Sequence, residues 1–162
     1  MKIISKSENK TKELAKEFAA LLSKGDIIVL TGDLGAGKTK FVEGFLSNFD
    51  MQDEISSPTF NIVNEYCSEL ENIYHFDVYR LEDSDEFYAI GGEEYFEKGI
   101  CLIEWGETIS DVLPKNYIHI TISKDDLNEN TRIFDFEVVG NSERLNNILL
   151  DFQKKEDVNW KY

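Results

Sequence analysis

The stretch DIIVLTGDLGAGKTKFVEGF, residues 26–45, constrains this chain more than any other part of it. Ile27, Ile28, Val29 and Leu30 form a short unbroken apolar run, the pattern of a parallel strand buried on both faces. Gly32, four residues, then Gly37, Lys38 and Thr39 fit G-x-x-x-x-G-K-[ST]. Beyond them Phe41, Val42, Phe45, Leu46 and Phe49 recur at helical spacing. A strand, a glycine turn and a helix in that order make a phosphate-binding P-loop. Gly32, Gly35 and Gly37 let the backbone turn sharply and approach a phosphate. Backbone N–H groups from Gly35 to Lys38 then converge on the β-phosphate at the positive end of the helix dipole. Lys38 is expected to reach the β- and γ-phosphates, and the Thr39 hydroxyl to take one Mg²⁺ position.

The rest of the chain reads as one α/β domain spanning residues 1–162, with 154–162 expected to be a frayed tail carrying Trp160 and Tyr162. KIIS is a first strand, and Leu14, Phe18, Leu21 and Leu22 mark a helix ending near Gly25. FNIVNEYC and NIYHFDVYR read as adjacent strands joined through SELE. DSDEFYAI is an acidic helix with Asp83 and Glu86 at capping-box spacing and Gly91 at its end. GICLIEW is a second fully apolar strand, NYIHITIS and TRIFDFEVV form a hairpin, and Leu145, Ile148, Leu149 and Phe152 define an amphipathic helix.

A P-loop needs a second acid to hold Mg²⁺, and two stand at strand ends. Glu104 follows the apolar run Ile100–Ile103, while strand alternation puts Asp77 on the face of His75. His75 reads as a packed strand histidine and His119 as an exposed one. The guanine-reading N-K-x-D pattern has only SKDD, Ser123–Asp126, as a near match, so ATP is the expected nucleotide.

The net charge of −15, from 32 acids against 17 bases, opposes tight binding of RNA or DNA by the chain alone. Cys67 and Cys101 do not pair into a metal-ligand spacing and read as buried, reduced thiols. No run of 18 apolar residues occurs and MKIISKSENK has no signal-peptide core, so a cytoplasmic protein with no membrane association is expected. A small-molecule P-loop kinase is the alternative reading. Kinases clamp their acceptor with several arginines, and this chain has Arg80, Arg132 and Arg144.

With the P-loop, SSPTFNIVNEY, YHFDVYRLED and CLIEWGE in that order, the chain resembles the TsaE family of small P-loop ATPases of bacterial tRNA threonylcarbamoyladenosine synthesis over residues 7–136. The resemblance implies a three-layer P-loop fold: a mainly parallel sheet with added antiparallel strands and helices on both faces. It implies that Leu34, Gly35, Ala36, Gly37, Lys38 and Thr39 hold the phosphates of ATP or ADP. Thr39 and Glu104 would be the Mg²⁺ ligands, with Asp77 beside the γ-phosphate and the attacking water. Ser57, Pro58 and Thr59 would form a mobile segment near the site, Trp105 would border it, and Glu8, Thr11 and Arg132 would lie near the nucleotide. The implied partners are the TsaD and TsaB proteins, with TsaD performing the transfer and ATP hydrolysis resetting the pair between turnovers. Two positions depart from the family pattern: Lys40 replaces a common second Thr, and Gly106 a common Pro.

Overall fold

The computed structural model describes residues 1–33, 35–55 and 61–159. In chain order the elements are β1 (Lys2–Ser5), α1 (Glu8–Ala19), β2 (Ile27–Thr31), α2 (Lys38–Ser47), β3 (Val63–Cys67), β4 (Asn72–Asp77), α3 (Ser84–Ala89), β5 (Ile100–Glu104), β6 (Tyr117–Lys124), β7 (Arg132–Val139) and α4 (Glu143–Asn159). The strands join in one sheet of order β1-β7-β6-β2-β5-β4-β3. Its centre is parallel, with β2 between β5 and β6 and β4 on the far side of β5. Both margins are antiparallel: β3 against β4, β7 against β6, and β1 against β7, where Ile3 faces Phe134.

The apolar pattern explains the layering. Every residue of β5 is buried and so are Ile27–Leu30 of β2, because helical elements cover both faces there. On one face α1, α2 and α4 pack through phenylalanines. Phe18 of α1, Phe136 of β7 and Phe152 of α4 meet with ring centroids 5.2–5.3 Å apart. On the other face α3 and the 3₁₀ turns Gly92–Glu97 and Gly106–Ile109 cover β4 and β5, with Phe76 against Phe87 and Tyr95. β6 alternates between buried isoleucines and more exposed residues, so its second face, and that of β7 beside it, is only partly covered.

Local signals set most helix ends. Ser7 accepts from the Lys10 N–H to cap α1, and Asp83 accepts from the Glu86 N–H to cap α3. The capping box is completed one residue early, since the Glu86 carboxylate takes the Glu82 N–H. Gly91 follows α3 in the left-handed region. Three expectations need correction. α1 stops at Ala19, and Leu21 and Leu22 belong to the turn below it, bonded back to Phe18 and Ala19. The stretch from residue 154, read as tail, continues α4 to Asn159 and buries Glu156; Trp160 and Tyr162 lie outside the described residues. Cys101 is fully buried, but Cys67, on the edge strand β3, is exposed.

That last difference is measurable. Burial pushes the Cys101 thiol up to about 12, so at pH 8 it holds its proton and its nucleophile is missing. A thiol titration of the native protein should modify Cys67 alone, and both cysteines after denaturation. Rapid modification of Cys101 in the native state would mean that β5 opens.

Gly44 makes a second prediction. It lies in the middle of α2, where alanine is the better helix former by about 1 kcal/mol. A Cβ there would stand 2.4 Å from both Cα and O of Lys12, in the backbone of α1. Overpacking wins over propensity, and Gly44→Ala is expected to destabilise the fold by about 1–3 kcal/mol in urea unfolding. A stabilised variant would show that α1 and α2 can part at little cost. Among the described residues no helix is long and apolar enough to cross a membrane.

Candidate functional site

β2 ends at Thr31, and the chain must turn before α2 starts at Lys38. The glycines of that turn serve different needs. Gly37 has φ 110° and caps α2 without a side chain, so Phe41 makes the first helical N–H bond to it. The N–H groups of Lys38, Thr39 and Lys40 therefore have no partner within the helix and carry its positive dipole end. Gly35 also has positive φ. Gly32 is there for closeness instead: a Cβ would stand 2.7 Å from the Ile122 carbonyl of β6. The loop thus rests directly on the neighbouring strand. Ala36 is buried and its N–H is spent on Asp33, so it supports the loop from inside. Leu34 lies outside the described residues, as do Ser57, Pro58 and Thr59.

Beside the loop is a cavity of about 710 Å³, within the range that small-ligand sites occupy. Its wall includes Gly35, Gly37, Lys38 and Thr39 from the loop and α2, and Asp77, Glu104 and Trp105 from the ends of β4 and β5. Glu8 and Thr11 of α1 and Arg132 of β7 also line it. The sequence-predicted residues that the structure describes thus converge on one space, Ala36 excepted. Two of them carry other duties: Thr11 Oγ1 is 2.8 Å from Ser5 Oγ, and Glu8 faces Lys40 at 3.8 Å.

Parallel register places Asp77 beside Glu104 on adjacent strands. Glu104 is only 9% exposed, and a buried carboxylate must be compensated. His75 supplies one partner, with Nε2 2.6 Å from Glu104 Oε2. Lys38 supplies the other, its Nζ 3.8 Å from Oε1. Nζ also donates to the Gly32 carbonyl at 2.8 Å and lies 4.6 Å from the centroid of the Trp105 ring. Trp105 holds φ 64°, strained for a residue with a side chain, and its ring meets Tyr79 at 5.0 Å. The buried His75 Nδ1 has no hydrogen-bond partner. Asp77 receives the Tyr79 N–H at 3.1 Å.

This arrangement suits a polyanion. Three backbone N–H groups, Lys38 and Arg132 converge, with Lys40 also at the wall but paired with Glu8 and Glu43, and a cation can share the two acids. Among the described residues no three of His, Cys, Asp and Glu come together as a metal-holding group. A divalent ion would therefore depend on oxygens of the ligand as well as on Thr39 and Glu104, as Mg²⁺ sites at phosphates commonly do. The donor set fits that ion: a hydroxyl and a carboxylate on one cavity wall.

Sequence reasoning missed three features. Tyr79, stacked on Trp105, lines the cavity. His75 is more than a packed residue, since it holds Glu104. His119, read as exposed, is half-buried outside the cavity, between Thr31 Oγ1 at 2.8 Å and Glu137 Oε1 at 3.0 Å. Strand alternation gave the right face for each histidine, but their partners sit on strands far away in sequence.

The chain matches the family model described as threonylcarbamoyl adenosine biosynthesis protein TsaE over residues 5–133. It is similar to the tRNA threonylcarbamoyladenosine biosynthesis protein TsaE of Bacillus subtilis, 42% identical over 132 residues and 81% of each chain. That of Treponema pallidum is 39% identical over 123 residues, 75% of this chain and 90% of the relative. Among solved structures, the crystal structure of Bacillus subtilis YdiB superposes with a TM-score of 0.76 at 31% identity, covering 96% of this chain and 95% of that one.

Proposed function

The chain belongs to the TsaE family, whose role is in tRNA threonylcarbamoyladenosine biosynthesis, and from that premise we propose that it binds ATP with Mg²⁺ at the loop after β2 and hydrolyses it. The observation that carries this reading is the position of Lys38, held by Gly32, Glu104 and Trp105 at the wall of the cavity. An ammonium so placed can exchange a carbonyl for phosphate oxygens by a short swing of its stem. The open N–H groups of α2 hold the phosphates from the other side.

Each residue has a task in hydrolysis. Thr39 and Glu104 hold Mg²⁺, which when bound offsets negative charge on the phosphates. His75 keeps Glu104 oriented. Asp77, beside Glu104, positions a water toward the terminal phosphate. Tyr79 and Trp105 exclude bulk solvent from one side. We assign the work done by hydrolysis to resetting a TsaB–TsaD pair between transfers, since among the described residues there is no second cluster suited to acyl transfer, and the chain has too few bases to hold tRNA itself. The kinase alternative finds less support. Arg144 is bonded to Asp26 and Ser23, and Arg80 does not line the cavity, which leaves Arg132 as the arginine at its wall.

The test is titration of the purified chain with labelled tRNA and with the TsaB–TsaD pair, in ADP and in a slowly hydrolysed ATP analogue. Nucleotide-dependent affinity for the protein pair and weak tRNA binding at physiological salt are expected. Tight tRNA binding by the chain alone, or partner affinity indifferent to nucleotide, would refute the division of labour. Turnover that requires a metabolite acceptor would establish the kinase.

A further inference from the structure

Two cations stand directly opposite each other where the β6–β7 hairpin turns. Lys124 ends β6, Arg132 begins β7, and the two are partners in register. They lie on the face that carries Ile122 and Phe134, which is also the face of α2. Like charges in that relation repel, and proteins ordinarily separate them or place an acid between. This chain has 32 acids to choose from, yet among the described residues neither side chain has a carboxylate within ion-pair distance. Asp125, the next residue, spends its carboxylate on the Leu127 N–H inside the turn. Among the described residues the Arg132 guanidinium bonds two backbone carbonyls, those of Glu129 and Thr131, through Nη1.

Both cations are aimed at the glycine loop. A methyl group on Gly35 would stand 3.4 Å from Lys124 Nζ, and one on Gly37 would stand 3.7 Å from Nε of Arg132. The hairpin cannot easily be elsewhere, because Gly32 packs against the Ile122 carbonyl two residues before Lys124. We infer that Lys124 and Arg132 form a two-cation clamp that the hairpin lays over the phosphate loop, with Lys124 a direct contact for the phosphate chain of the bound nucleotide. Lys124 has no place in the P-loop pattern and lies 86 residues after Lys38 in sequence. The clamp explains why the pair is left without an acid: the missing anion is the ligand's. Lys124 depends on the nucleotide reading above, being assigned to that same ligand.

The experiment compares the wild type with Lys124→Gln and Lys124→Arg, titrated calorimetrically with ADP and with a slowly hydrolysed ATP analogue in Mg²⁺. Melting temperatures are taken with and without nucleotide. Loss of one charge-assisted contact should weaken the ATP analogue by about 10-fold or more in Lys124→Gln, while Lys124→Arg stays near the wild type. Without nucleotide the Gln variant should melt no lower than the wild type, because a repulsion has gone; with nucleotide it should gain less. Unchanged affinity in Lys124→Gln, or a Gln variant that is already less stable without ligand, would overturn the clamp. A wild type that binds neither nucleotide would overturn both the clamp and the proposed function.

Discussion

Lys38→Ala should abolish ATP hydrolysis in practice, lowering the rate by about 100- to 1,000-fold and the affinity for ATP by about 10-fold or more. The ammonium is the one charged group of the glycine loop aimed at the cavity, and water cannot supply a fixed positive charge at the same point. Its loss removes one of the two partners of the buried Glu104, but the shorter one, His75 at 2.6 Å, remains, and the fold should hold. Lys38 occupies the first turn of α2, where alanine is a good helix former. Matching circular dichroism and melting curves, with phosphate release lost, is therefore the expected result. A variant that hydrolyses ATP at the wild-type rate would move the site elsewhere.

Glu104 should separate binding from chemistry. With the amide cradle intact, Glu104→Gln is expected to bind ATP within a few-fold of the wild type while Mg²⁺-dependent hydrolysis at saturating ATP falls by about 100-fold. Glutamine is the informative replacement because its amide oxygen or nitrogen can still meet His75 Nε2, 2.6 Å away in the native protein. Alanine there would leave His75, whose Nδ1 already lacks a partner, with no hydrogen bond at either ring nitrogen. That would cost about 1–3 kcal/mol of stability and confuse the result. Equal losses of binding and turnover in the Gln variant would assign Glu104 a structural role.

The comparison of pattern with structure divides along sequence distance. The strand, turn and helix around Lys38 were legible because their signals are local: an apolar run, glycines, then helical periodicity. The alternation of NIYHFD put His75 and Asp77 on one face, and β4 places them so. What two strands do to each other was not legible. The bond from His75 to Glu104 needs the parallel register of β4 and β5, and the opposition of Lys124 and Arg132 needs the length of the turn between β6 and β7. Cys67 looked as apolar as Cys101, but β3 is an edge strand, and at its end Glu65 and Cys67 are exposed. Trp105 carried no local sign of a left-handed backbone; the end of β5 imposes it. Helix α1 was read too long because Leu21 and Leu22 continue its apolar face by spacing, although they fold under it as a turn.

The pairing of β1 with β7 has a temporal side. Phe134 is made long after its neighbour Ile3, and the backbone bond between Met1 and Phe136 spans 135 residues of sequence. At ribosomal speeds of about 5–20 residues per second, β1 waits on the order of ten seconds for its partner strand to exist. During that interval α1, α2 and the parallel centre of the sheet can assemble, while β1 remains an unpaired edge with Ile3 and Ile4 uncovered. Completion of the sheet is thus a late, long-range event, and a ribosome that stalls within β6 or β7 would leave behind a nascent chain whose glycine loop lacks its rest on Ile122 and whose first strand is open to pairing with other chains.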